Sequence, residues 1–193
     1  GFLAGYRFLY KVSPREFITE DTKIIYANEG IADKDFREIM PLINAVGKDT
    51  DYGKFEETKK YISKVYAFSD SDFYNREIKT AVVVDTGYWY FFILKDSMKY
   101  FDKDGEFYRL KSKYMKKYGL EKEIYMLFHR GLIIFSENKS VLKKIINKKG
   151  IYNAKIENII DETRDNLLGV LIYNNTKTKD LGIEVISLTG TVD

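Results

Sequence analysis

The chain has 193 residues, with 32 basic and 29 acidic side chains, a net charge of +3, one histidine and no cysteine. At this length a single domain buries about 70% of the surface its unfolded chain exposes, so folding requires neither disulfides nor metals. The absence of cysteine excludes thiol catalysis, cysteine zinc sites and disulfide staples. The near-balanced charge disfavours a dedicated nucleic-acid partner.

Lys, Ile, Tyr, Asn and Phe are abundant and proline is scarce. The codon bias of an AT-rich bacterial genome accounts for this; a Tyr/Lys-rich binding surface is the competing reading. In "GFLAGYRFLYKVSP" (1–14) apolar residues run into Tyr, Lys and Arg, as they do where a membrane span reaches the interface. The stretch is too short to cross a bilayer, which takes about 20 apolar residues. It is therefore expected to be the remnant of a removed signal anchor, with residues 1–16 membrane-proximal and residues 17–193 forming one domain. That reading implies that residues 1–10 are loosely attached. An ordinary first helix with Phe2, Tyr6 and Leu9 on one face is the alternative.

"TKIIYANE" (22–29) predicts a strand. Over 32–47, Phe36, Ile39, Met40, Ile43 and Val46 fall at helical spacing, with Asp33 and Gly47 as caps and Pro41 as a kink. A polar helix is expected over 54–62, running into a strand over 63–70. "KTAVVVDTG" (79–87) is the clearest strand, closed by Gly87, where the chain turns. Residues 88–101 are apolar almost all round at first, and Phe91, Leu94, Met98 and Phe101 predict one face of a helix. Residues 105–114 alternate as a strand.

In "KEIYMLFHRGLIIFSE" (122–137), Ile124, Met126 and Phe128 point to one side, and Tyr125, Leu127 and His129 to the other. Arg130 and Gly131 between them predict a tight hairpin turn with Gly131 at positive φ. A helix follows, capped by Asn138 or Ser140 and ended by Gly150. Val141, Leu142, Ile145 and Ile146 face inward, while Lys143, Lys144 and Lys148 face outward. Ile156, Ile159 and Ile160 predict a further helix over 154–165. Residues 167–174 and 182–192 are expected to pair antiparallel. The last strand carries no stop signal, which suggests that the natural chain continues. This order predicts an α+β fold, a largely antiparallel sheet with helices packed on one face. A parallel α/β sheet is the alternative.

The run "TAVVVDTG…FFILKDSMKYF…IYMLFHRGLIIFSENKSVLKKII", over about residues 79–149, resembles uncharacterised membrane-anchored bacterial proteins catalogued as domains of unknown function. The resemblance lies in the order of strand, helix, strand and hairpin. It implies an envelope location and brings no catalytic residues.

Candidate chemistry is sparse. A Ser-His arrangement would have to use His129 with Ser136, and there is no G-x-S-x-G elbow. Asp102, Asp104 and Glu106, like Asp49 and Asp51, sit in Asp/Gly turns. Gly105 comes too early after Asp102 for a calcium loop. Phosphate-cradling glycine motifs are missing, and no carboxylate pair stands out for hydrolysis. Neither cofactor nor metal is implied.

The basic tract Arg109, Lys111, Lys113, Lys116 and Lys117, interleaved with tyrosines, is the one positive feature. On a strand, the first three share a face and form a ridge for an anionic surface or envelope polymer. Against this stands a merely solvated face that protects a sheet edge. The functional expectation is a non-enzymatic, extracytoplasmic binding or scaffold domain, membrane-anchored in a bacterial envelope, with an anionic or protein partner. A hydrolase and a cytoplasmic polyanion-binding module are the alternatives.

Overall fold

A computed structural model describes residues 12–18, 22–31, 52–69, 80–117, 119–147, 158, 160–161, 168–173 and 185–190. The predicted helix over 32–47, the segment 1–10, and Asp49, Asp51, Lys148, Gly150, Ile156 and Ile159 lie outside these residues.

The described strands are β1 (Ile24–Glu29), β2 (Lys64–Ser69), β3 (Thr80–Asp85), β4 (Phe101–Asp104), β5 (Phe107–Leu110), β6 (Tyr125–His129), β7 (Leu132–Ser136), β8 (Leu168–Tyr173) and β9 (Val185–Gly190). They join one sheet in the order β4-β5-β6-β7-β3-β2-β1-β8-β9. Every pairing is antiparallel, including the expected β8–β9 pair. The α-helices whose bounds lie among the described residues are α1 (Tyr52–Lys59), α2 (Tyr90–Ser97), α3 (Ser112–Lys117) and α4 (Lys139–Asn147). The fold is α+β. No helix among the described residues is long and apolar enough to cross a membrane.

Strand alternation sorts side chains onto two faces. On the first, Ala27, Tyr66, Val83, Ile134 and Leu127 form one row across five strands. Val141, Leu142 and Ile145 of α4 pack on it, joined by Phe17, Ile18 and Ile160. Asn138 caps α4 as expected, its Oδ1 accepting the Ser140 N–H at 2.8 Å. On the second face, Met126, Ile133, Phe128 and Phe135 meet Tyr90, Ile93 and Leu94 of α2. The sheet therefore carries helical cover on both faces, with α4 on one and α2 on the other.

Residues 12–16, assigned from sequence to the membrane-proximal segment, belong to the folded unit. Val12 and Pro14 are buried, and Val12 packs in the main core. Ser13 opens a short 3-10 turn, Pro14–Phe17, with a capping box. Its Oγ accepts the Arg15 N–H at 3.3 Å, while Glu16 Oε1 accepts the Ser13 N–H at 3.0 Å.

The β6–β7 hairpin turns through Arg130 (φ 45°) and Gly131 (φ 80°). Two consecutive positive φ values define the primed turn that matches strand twist. Glycine suits this geometry; arginine is strained there. Arg130→Asn is expected to raise stability by about 0.5–1 kcal/mol in urea unfolding, because Asn tolerates the left-handed region better.

Candidate functional site

The basic tract does not form the expected single strand face. β5 stops at Leu110, and Lys113, Lys116 and Lys117 lie on α3. The Lys111 carbonyl accepts from the Tyr114 and Met115 amides at 2.9 and 3.2 Å, which starts the helix. Gly119, at φ 63°, lets the chain close α3 with Leu120 N–H on Met115 O (2.9 Å) and Gly119 N–H on Lys116 O (3.3 Å). Straight-chain helix formers and this glycine stop outweigh the short alternation. Two of the cations are also matched by acids. Arg109 meets Glu123 at 3.2 Å, and Lys111 meets Asp102 at 3.6 Å and donates to the Lys99 carbonyl at 2.9 Å.

His129 and Ser136 lie at opposite ends of the hairpin, since His129 pairs with Leu132 and Ser136 with Tyr125. Four residues of strand separate the two ends by about 13 Å. Ser136 Oγ donates to the Thr80 carbonyl at 2.8 Å and accepts the Asn138 N–H at 3.1 Å. These bonds give Ser136 a structural role in joining β7 to β3 and α4. Asp102 and Asp104 sit on β4, and a two-residue turn at Gly105 (φ 64°) and Glu106 leads into β5. Asp104 and Glu106 pair with Lys139 (2.7 Å) and Lys143 (3.4 Å) of α4. Among the described residues no group of three metal-ligating side chains gathers.

His129 borders the turn as expected, and it is half-buried, with its ring 6.1 Å from that of Phe17. Burial, aided by the Arg130 charge, pushes its pKa below the ordinary 6.5. The unfolded imidazole then takes up a proton that the folded one resists. Stability is full above about pH 6.5 and falls as pH drops through the lower folded value. Thermal melts between pH 7 and 5 should show this loss, and His129→Ala should flatten it while costing about 1 kcal/mol at pH 7.

One end of the first sheet face is polar. The cross-strand row there runs Glu29, Lys64, Asp85, Leu132, His129. Glu29 is buried, and its carboxylate receives the Tyr66 hydroxyl, Lys64 Nζ at 3.0 Å and Arg15 Nη2 at 3.1 Å. Arg15 also donates to the Tyr66 hydroxyl at 3.2 Å and to Asp161 at 2.7 Å. Burial pushes the Glu29 pKa up, but the Tyr66 and Lys64 hydrogen bonds and the Lys64 and Arg15 charges outweigh it, so the carboxyl sits below its ordinary value. Burial and Glu29 together push the Tyr66 hydroxyl up, away from ionisation. Every strong group here faces a partner within the protein, which is the chemistry of a structural clasp.

A surface at the end of β3 is not among the sites expected from the sequence. The Asp85 carboxylate accepts the Gly87 N–H at 2.8 Å, and Gly87, at φ 56°, turns the chain as predicted. The Trp89 N–H then bonds the Thr86 carbonyl at 3.0 Å, closing a 3-10 turn that runs straight into α2. The inward face of α2 is Tyr90, Ile93 and Leu94. The expected face of Phe91, Leu94, Met98 and Phe101 is not formed, because α2 ends at Ser97 and Phe101 opens β4.

Turning Tyr90 inward sends its neighbours out. Tyr88 is 85% exposed, Phe92 69%, Trp89 45% and Phe91 38%. The Trp89 ring stacks edge-on with Tyr61 at 4.9 Å and tilts against Phe92 at 5.7 Å. Lys60 Nζ lies 5.1 Å from the centre of the Tyr61 ring. The result is an aromatic ridge with a cation at its border. The signal was present in "GYWYFF": a helix has one buried face, and five consecutive rings cannot all share it.

The chain matches no family model, no curated protein and no solved structure.

Proposed function

We propose that the chain is a non-enzymatic binding or scaffold domain of a bacterial envelope, extracytoplasmic and membrane-anchored, which meets its partner through the aromatic ridge of Tyr88, Trp89, Phe91 and Phe92. The observation that carries this reading is the exposure of four large rings within five residues, on the 3-10 turn and the first turn of α2, with Trp89 and Phe92 in contact. Scattered apolar side chains are ordinary on a protein surface, whereas a contiguous exposed patch marks a contact site. Trp and Tyr are also the residues that dominate binding energy at interfaces. The buried clasp of Arg15, Glu29 and Tyr66 supports the same reading, because its polar groups are spent on one another. The envelope setting is part of the proposal and rests on the sequence pattern of residues 79–149, which resembles that of membrane-anchored bacterial proteins.

The double variant Trp89→Ser with Phe92→Ser tests this. Both rings are exposed, so the thermal midpoint should move by no more than about 2–4 °C, the equivalent of roughly 1 kcal/mol for a domain of this size. Sedimentation with bacterial envelope membranes should fall to background. A variant that keeps both its midpoint and its sedimentation would contradict the ridge as the contact surface.

A further inference from the structure

We infer that the occupant of the aromatic ridge is the headgroup layer of an anionic lipid bilayer; this rests on the binding-domain reading above. Three observations point to a lipid layer. The first is ring type. Trp and Tyr carry an apolar body and a polar tip, and they concentrate where hydrocarbon meets headgroups. The second is protrusion. Tyr88 is 85% exposed and Phe92 69%, more than any other large hydrophobic side chain among the described residues. Protruding rings enter a fluid layer at low cost, whereas protein hot spots fill well-packed pockets.

The third is charge. Thr86 to Lys95, the segment that carries the ridge, contains no acidic residue. Lys59 is matched by Glu56 at 3.0 Å, and Lys99 by Asp96. Lys60 and Lys95 are exposed, and the cation–π contact of Lys60 sets its ammonium at the ring of Tyr61, which packs edge-on against Trp89. Rings flanked by cations complement an anionic interface, where rings enter the headgroup region and ammonium groups meet lipid phosphates.

Trp89 is the chain's only tryptophan, so its emission reports directly on the ridge. Adding mixed phosphatidylglycerol–phosphatidylcholine vesicles should shift that emission to the blue, and raising the salt should weaken binding. Lys60→Glu with Lys95→Glu should reduce vesicle affinity by about tenfold or more. Tyr88→Ser with Phe92→Ser, which keeps the reporter, should abolish the shift. Absence of a shift with the anionic vesicles overturns the inference, as does an equal shift with pure phosphatidylcholine vesicles. If the vesicles fail while ridge-dependent sedimentation with envelope membranes persists, the lipid assignment falls and the binding-domain reading stands. If both fail, both fall.

Discussion

Glu29→Ala is expected to destabilise the protein by about 3–5 kcal/mol, because removing one partner of a buried ion cluster strands the others. Glu29 is 5% exposed and accepts from Tyr66, Lys64 and Arg15. Its loss leaves the Tyr66 hydroxyl, itself fully buried, without its carboxylate acceptor. Lys64 is partly exposed, and Arg15 keeps Asp161 at 2.7 Å, which places the cost toward the lower end of that range. The loss also has a pH signature. The folded carboxyl lies below its unfolded value of 4.5, so the contribution of Glu29 is complete above that pH. It disappears as pH falls through the lower folded value. Urea unfolding at pH 7 and again below pH 4 should show the gap between wild type and Glu29→Gln narrowing in acid. A gap that stays constant would mean that the carboxylate is not ionised in the clasp.

Leu142→Ala is the second large effect. Leu142 is fully buried on α4 between Val141 and Ile145, against the first sheet face. Truncation removes contacts and leaves a cavity, for an expected cost of about 2–5 kcal/mol. At about 2–4 °C per kcal/mol for a domain of this size, the thermal midpoint should fall by at least about 4 °C. Lys143→Ala, on the exposed side of the same helix, should change stability by less than about 0.5 kcal/mol. Equal losses from the two variants would mean that α4 is not docked by its apolar face.

The strands and α4 were legible because their periodicities are local. The alternation of Met126 and Phe128 against Leu127 and His129 needs only neighbouring residues to be read, and so does the spacing of Val141, Leu142 and Ile145. Gly131 marks its turn by itself. The clasp was illegible for the opposite reason: Arg15, Glu29, Tyr66 and Asp161 meet only through sheet register and the docking of a short turn. The Ser-Pro-Arg-Glu run, Ser13 to Glu16, is a capping box that could have placed Arg15 at the start of a helical turn. The basic tract misled because three alternating residues fit a strand as well as the approach to a helix. The straight-chain helix formers after Ser112 and the stop signal at Gly119 favour the helix. The ridge is visible as a run of rings, but the helical spacing of Phe91, Leu94, Met98 and Phe101 points to a different inward face. What decides its fate is that α2 is only eight residues long and turns Tyr90, Ile93 and Leu94 to the sheet.

Contact through the ridge is read from the accessibility of the Trp89 side chain, followed as the signal of a fluorine-labelled tryptophan in the presence of bacterial envelope membranes. Because the chain has one tryptophan, the label reports from the ridge alone. A water-soluble paramagnetic agent should broaden the signal strongly in the free protein and much less once membranes are added. Equal broadening in both conditions, with the protein shown to be folded, would contradict the ridge as the surface through which this domain works.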